Sequence, residues 1–187
     1  MPFTYTKFDI QDLILVSPKV FPDGRGYFLE TYKESDFKTN GIDYVFVQDN
    51  HSRSSQGVLR GLHFQLAPKA QGKLVRVVRG RIWDVVVDIR QSSSTFLKWY
   101  GVELSDQNNN MLFVPPGFAH GFVTLSEEAD LVYKCTAEYD PDLERGIRFD
   151  DPEINISWPI KDPNLSERDL KQPYLSDAKK DIEIIGF

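Results

Sequence analysis

Residues 58–88 read VLRGLHFQLAPKAQGKLVRVVRGRIWDVVVD, and the reading of this stretch decides the fold. It packs three β-like runs, at 57–65, 73–79 and 81–90, each rich in branched apolar residues that suit a pleated, half-buried surface. Gly80 alone separates the last two, as a tight hairpin would require. Residues 51–90 also hold 8 of the 22 Lys and Arg and only 2 of the 28 Asp and Glu, a local charge of +6 in a chain of net −6. A basic centre in an acidic chain suits a focused site for a small anion. It argues against a nucleic-acid surface, which makes a whole domain basic.

Outward from this centre the pattern repeats. Residues 13–16 (LILV) form an apolar run closed by Ser17-Pro18, and residues 21–26 (FPDGRG) are turn chemistry, with two glycines and a proline. Strands are predicted at 27–32 and 44–52, with one short helix between them at 33–41, capped by Ser35 and ended by Asn40-Gly41. Further strands are predicted at 99–104, 111–114, 120–125, 130–137 and 147–149. Many short strands with little helix give an all-β antiparallel sandwich or barrel with a few short peripheral helices. No linker or repeat divides the chain, so residues 1–187 are expected to form one domain, with 152–187 as an extension packed on the barrel. The N-terminal strand and the strand after Gly26 need a sheet edge. Pairing across a homodimer would supply one, and an arrangement within one chain would supply another.

The totals narrow the setting. The chain of 187 residues is 41% hydrophobic, enough for a substantial core, and has no apolar run of the roughly 20 residues a membrane span needs. Its first residues, MPFTYTKFDI, lack the basic-then-apolar order of a signal peptide, and Cys135 is alone. A cytoplasmic protein without membrane or nucleic-acid partners is expected.

Strand alternation sorts the side chains able to move protons. Leu59, Gly61, His63 and Gln65 share one face of their run, and Arg60, Leu62 and Phe64 the other. Lys73 shares a face with Val75 and Val77, His120 with Phe122 and Thr124, and Tyr133 with Leu131 and Cys135. If these faces look inward, His63, Lys73, His120 and Tyr133 converge in one pocket, where a barrel mouth commonly binds a ligand. Asp84, amid valines, is read as pairing with a nearby Arg or Lys.

Residues 61–65 (GLHFQ), Gly80 and residues 116–120 (PGFAH) are similar to the two motifs of cupins. The metal-binding members have His-x-His and a downstream Glu; here Gln65 takes the second position and no Glu lies between it and Gly101. Two histidines make a poor metal cage, so no metal is expected. The segments VQDNHS (47–52), LRGLHFQ (59–65), QGKLVR (71–76) and PGFAHGF (116–122) stand in order. Together, with likeness from FPDGRG (21–26) to LSERD (165–169), they resemble the dTDP-4-dehydrorhamnose 3,5-epimerase family of metal-free cupins.

That resemblance implies a cupin-type jelly roll that inverts C3 and C5 of a dTDP-linked 4-keto-6-deoxyhexose without a cofactor. Protons beside a ketone are acidic because the carbanion delocalises onto oxygen, so the reaction needs a base, an enolate stabiliser and an acid on the opposite ring face. By resemblance the base is His63, paired with Asp169; Lys73 stands beside the enolate oxygen, and Tyr133 is the acid. The resemblance also assigns Arg25, Glu30, Gln48, Asp49, Asn50 and Arg60 to the substrate, together with Lys73, His120, Glu144 and Arg168. Tyr139 is the aromatic expected to stack on thymine. Arg168 stands where the family pattern has Lys. Two other readings stay open: a 3-epimerase or ketoisomerase on a related dTDP-4-keto sugar, and a non-catalytic cupin that binds a sugar nucleotide.

Overall fold

The structure of the protein, a computed structural model, describes residues 2–178. Numbered along the chain, β1 (Phe3–Lys7), β2 (Ile14–Pro18), β5 (Gln48–Ser55), β7 (Lys73–Arg79), β10 (Met111–Val114) and β12 (Glu128–Cys135) form one sheet. Its order is β1-β2-β10-β7-β12-β5. A second sheet runs β13-β6-β11-β8-β9, from β6 (Leu59–Gln65), β8 (Arg81–Asp88), β9 (Trp99–Ser105), β11 (Phe118–Thr124) and β13 (Glu144–Gly146). The ribbon of β3 (Phe21–Asp23) and β4 (Gly26–Phe28) pairs only with itself. Neighbours in all three are antiparallel. This is the two-sheet all-β sandwich of a jelly roll.

The alternation of residues 73–90 builds the space between the sheets. Val75 and Val77 of β7 face Ile82 and Val86 of β8, Phe118 and Phe122 of β11, and Leu131 of β12, all buried. Each such side chain contributes about 1.5–3 kcal/mol on leaving water. The outer face of the second sheet is covered by the chain after β13: Leu62, Phe64 and Val87 pack against Ile147, Ile154, Leu175 and Trp158. Asp151 anchors this cover, its carboxylate accepting the amides of Glu153, Ile154 and Leu175 at 2.7–3.1 Å. Residues 179–187 of the expected extension lie outside the described residues. The outer face of the first sheet is covered by Phe37 of α1 (Glu34–Thr39), which packs with Phe3, Val16 and Phe113.

Three local expectations are corrected. Gly80 does not close a hairpin, because β7 and β8 belong to different sheets; it turns a corner, at φ +78°, where a Cβ would lie 2.1 Å from the Glu128 carbonyl oxygen. The N-cap of α1 is Lys33, without a side-chain bond, and Ser35 lies inside the helix. The last strand is residues 144–146, not 147–149, because Arg148 turns out to hold Asp150 and the Leu170 carbonyl. The N-terminal strand finds its edge within the chain, where β2 pairs with both β1 and β10.

Candidate active site

Between the sheets, a cavity of about 250 Å³ is lined by Arg60, His63, Lys73, His120, Tyr133 and Asp169, with Ser52, Phe122, Leu131, Ser166 and Arg168 beside them. The inward faces of β7, β11 and β12 deliver Lys73, His120 and Tyr133 as alternation requires. Arg60 breaks that rule. It stands three positions from His63, so an unbroken strand would turn the two to opposite faces, yet both line the cavity. The cause is in the β6–β11 pairing, whose register shifts between His120 and Phe122. Gly61 (φ +133°) lies against Gly121 there, so close that a Cβ on Gly61 would sit 2.5 Å from the Gly121 Cα. A shift of this kind re-aims one side chain without ending the strand.

His63 Nε2 lies 2.6 Å from Asp169 Oδ1. The carboxylate reaches this barrel strand on the short helix α2 (Glu167–Leu170), 106 residues along the chain. Burial pushes the Asp169 carboxyl upward, but bonds from His63, Ser166 and the Gly61 amide outweigh it and hold it below the ordinary carboxylate range. Asp169 is therefore ionised and can only accept, so Nε2 donates to it, and in the neutral ring the lone pair is on Nδ1. A second pair lies beside the first, on the next strands of the same sheet. His120 Nε2 bonds both oxygens of Asp84, at 3.0 and 2.9 Å, and Asp84 is fully buried. Asp84 therefore pairs not with the expected Arg or Lys but with a histidine on the adjacent strand β11 that also lines the cavity.

Lys73 is half-buried, and among the described residues its ammonium makes no hydrogen bond or ion pair. Burial pushes its pKa below the ordinary lysine value, against the pull of Cys135, Glu144 and Asp84. Tyr133 moves the other way: burial raises its phenol, with Cys135 adding and Arg60 opposing. A phenol kept protonated beside an uncompensated cation can donate a proton where negative charge develops.

At one rim Glu144 binds both Arg168 and the Tyr139 hydroxyl. Burial alone would raise the Glu144 carboxyl, but Arg168 and Tyr139 hold it low. Gln48 joins this rim, accepting the Tyr139 amide at 2.7 Å and donating to Asn50 at 3.0 Å. Asn50 in turn reaches Cys135 Sγ at 3.5 Å. Asp49 points the other way, paired with Lys134 at 2.9 Å beside a separate cleft on the outer sheet face lined by His51, Arg76 and Met111. Arg25 and Glu30 do not line the cavity. Arg25 is 91% exposed on the β3–β4 turn, tied to Asp23 at 2.7 Å, and Glu30 Oε2 is buried without a hydrogen-bond partner among the described residues. Sequence reasoning missed Ser52 and Ser166; for Ser166, the Ser-x-x-Asp spacing of a helix cap is the available signal.

The fold and site define a jelly-roll protein of the cupin type, whose inter-sheet cavity gathers two His–Asp pairs, a lysine and a tyrosine. A family model for dTDP-4-dehydrorhamnose 3,5-epimerase matches residues 7–177, and the chain belongs to that family. Among its relatives, the dTDP-4-dehydrorhamnose 3,5-epimerase of Shigella flexneri is 52% identical over 173 residues, 92% of this chain and 96% of the relative. A crystal structure from Legionella pneumophila, of a dTDP-6-deoxy-D-glucose-3,5-epimerase in complex with dTDP-4-keto-L-rhamnose, superposes with a TM-score of 0.92. It is 42% identical and covers 96% of each chain. A 3'-monoepimerase from Streptomyces bikiniensis in complex with dTDP-quinovose also superposes, with a TM-score of 0.87 at 34% identity, over 92% of this chain and 88% of that one.

Proposed function

We infer that this protein is an isomerase that inverts C3 and C5 of dTDP-4-dehydro-6-deoxy-D-glucose, giving dTDP-4-dehydro-L-rhamnose for dTDP-L-rhamnose biosynthesis. The observation that carries this reading is the His63–Asp169 pair in one cavity with Lys73, whose ammonium makes no ion pair among the described residues, and the Tyr133 phenol, which burial keeps protonated. In this reading His63 Nδ1 removes the proton beside the C4 ketone, and Asp169 stabilises the imidazolium that results. Charge moves onto the C4 oxygen, where Lys73 meets it in a site partly closed to water. Tyr133 then protonates the carbon from the other ring face, which inverts the centre, and solvent restores both groups before the second centre reacts. Each acid or base contributes roughly 10²–10⁴-fold in rate.

Arg60 supports the pyrophosphate, since its planar fork can bond two oxygens at once, and His120 lies on the same side. Gln48, Asn50, Tyr139, Glu144 and Arg168 form the rim against which the nucleoside would lie. Arg25, on the ribbon, and Glu30, just after it, serve the ligand in this reading only if a second copy of the chain brings that segment to the rim; Asp49, on β5 and paired with Lys134, has no part in it. The β3–β4 ribbon supports such a homodimer: Phe21, Tyr27 and Phe28 are 43%, 60% and 65% exposed. Apolar residues gathered in this way mark an interaction surface. The lone buried thiol, Cys135, supports a cytoplasmic setting, where thiols stay reduced.

The test is to incubate the protein with dTDP-4-keto-6-deoxyglucose in D2O and follow the sugar by NMR. Deuterium and inversion at both C3 and C5 are expected. Change at C3 alone would establish the single-centre reading, which the same scaffold serves in the Streptomyces bikiniensis structure. No exchange at either carbon would remove the enzyme reading.

A further inference from the structure

Ser166 is the N-cap of α2, in extended conformation at φ −68°, ψ 156°. Its hydroxyl accepts the Asp169 backbone amide at 3.1 Å, which is ordinary capping. The same oxygen also donates, to Asp169 Oδ2 at 2.8 Å. A hydroxyl has a single proton, and a cap needs only a lone pair, so capping does not account for where that proton is spent. It is spent on a carboxylate whose side chain is 6% exposed and whose other oxygen holds His63 at 2.6 Å. Ser166 itself lines the cavity with His63.

We propose that Ser166 is a positioning residue for proton abstraction, fixing the Asp169 carboxylate so that Oδ1 faces His63 while drawing part of its charge to Oδ2. The proposal rests on His63 being the base. Two consequences follow from the geometry. With the hydroxyl gone, the carboxylate turns more freely about its last torsion, and His63 loses its fixed orientation. The charge that Ser166 shared also returns to the His63 side, which favours the imidazolium and moves the acid limb of turnover to higher pH. The depressed carboxyl of Asp169 is in keeping with this bond. Both effects act on the proton-transfer step, so kcat should fall while KM holds.

Ser166→Gly separates this role from capping, because glycine caps a helix within a few tenths of a kcal/mol of serine. Ser166→Asp is the second variant, since it caps as well as serine but holds no proton to donate at neutral pH. Ser166→Thr retains both functions, and His63→Ala tests the parent assignment. Thermal unfolding, kcat and KM across pH, and deuterium wash-in from D2O are measured for all four. The expected result is near-wild-type unfolding of Ser166→Gly with kcat lowered roughly tenfold, KM within about twofold, and a raised acid limb. Ser166→Thr should restore rate and limb together. Wild-type kcat and acid limb in Ser166→Gly overturn the proposal and leave Ser166 a helix cap; if that variant does not fold, the same result in Ser166→Asp does so. If His63→Ala still turns over and exchanges, the assignment of the base fails, and Ser166 loses its role for that separate reason.

Discussion

At the scale of single residues, the cavity assigns different work to groups a few ångströms apart by controlling what each can bond. His63 and His120 are partners in register on β6 and β11, yet each is tied by Nε2 to its own carboxylate, Asp169 and Asp84. Lys73, by contrast, makes no hydrogen bond or ion pair among the described residues, and in the proposed reaction it is the group that answers a new negative charge. The base and the acid can be separated by exchange. His63→Ala should abolish wash-in of solvent deuterium at C3 and C5. Tyr133→Phe keeps the base and Lys73, so it should still exchange hydrogen on the face from which it is removed, while inversion drops by roughly 10²-fold or more. Both are read by NMR in D2O on variants whose thermal unfolding matches wild type. Exchange at the wild-type rate in His63→Ala would place the base elsewhere.

At the scale of elements, two strand pairs carry features that no single strand explains. The β6–β11 pair closes so tightly at Gly61 and Gly121 that neither has room for a side chain, and the register shift there brings Arg60 to the cavity. Gly61→Ala would force a Cβ against the β11 backbone at a φ that side chains avoid. It should cost at least about 2 kcal/mol. For a chain of this size that is roughly 4–8 °C in Tm, measurable by calorimetry. The β5–β12 pair is pinned from outside: Arg53 grips both oxygens of its cross-strand partner Asp130 at 2.9 Å, and His51 adds a bond at 3.1 Å. The Arg53 bonds, against burial and with help from His51, lower the Asp130 carboxyl to about 2. A carboxyl lowered in the folded state stabilises above its unfolded value, and that contribution is lost as pH falls through the folded one. Asp130→Asn should therefore have a lower urea midpoint than wild type at pH 5, with the gap closing between about 4 and about 2. A gap that stays constant with pH would show that the pair does not titrate as argued.

At the scale of the whole molecule, one chain builds the whole cavity but leaves an apolar ribbon on its surface, with Arg25 at the tip and away from the cavity. Phe28→Asp tests the homodimer directly, since Phe28 is 65% exposed and its replacement costs the single chain little. Light scattering should show the wild type at twice the chain mass and the variant at once, with dTDP affinity falling in calorimetry as Arg25 is withdrawn. A wild type of single-chain mass would end that reading. The sequence by itself determined the sandwich, because two-residue alternation is local and each strand sorts its own side chains before it meets a neighbour. For the same reason it put Lys73, His120 and Tyr133 on inward faces, and the spacing of its motifs carried the likeness that paired His63 with Asp169. Only the tertiary structure decided that Gly80 passes the chain from one sheet to the other, since the same glycine serves a hairpin or a corner according to what β7 and β8 find to pair with. It alone brought Arg60 to the side of His63, against the alternation, because that depends on how closely β11 approaches Gly61. It alone closed Asp84 on His120 and Ser166 on Asp169, through contacts between segments whose separation along the chain leaves no local trace.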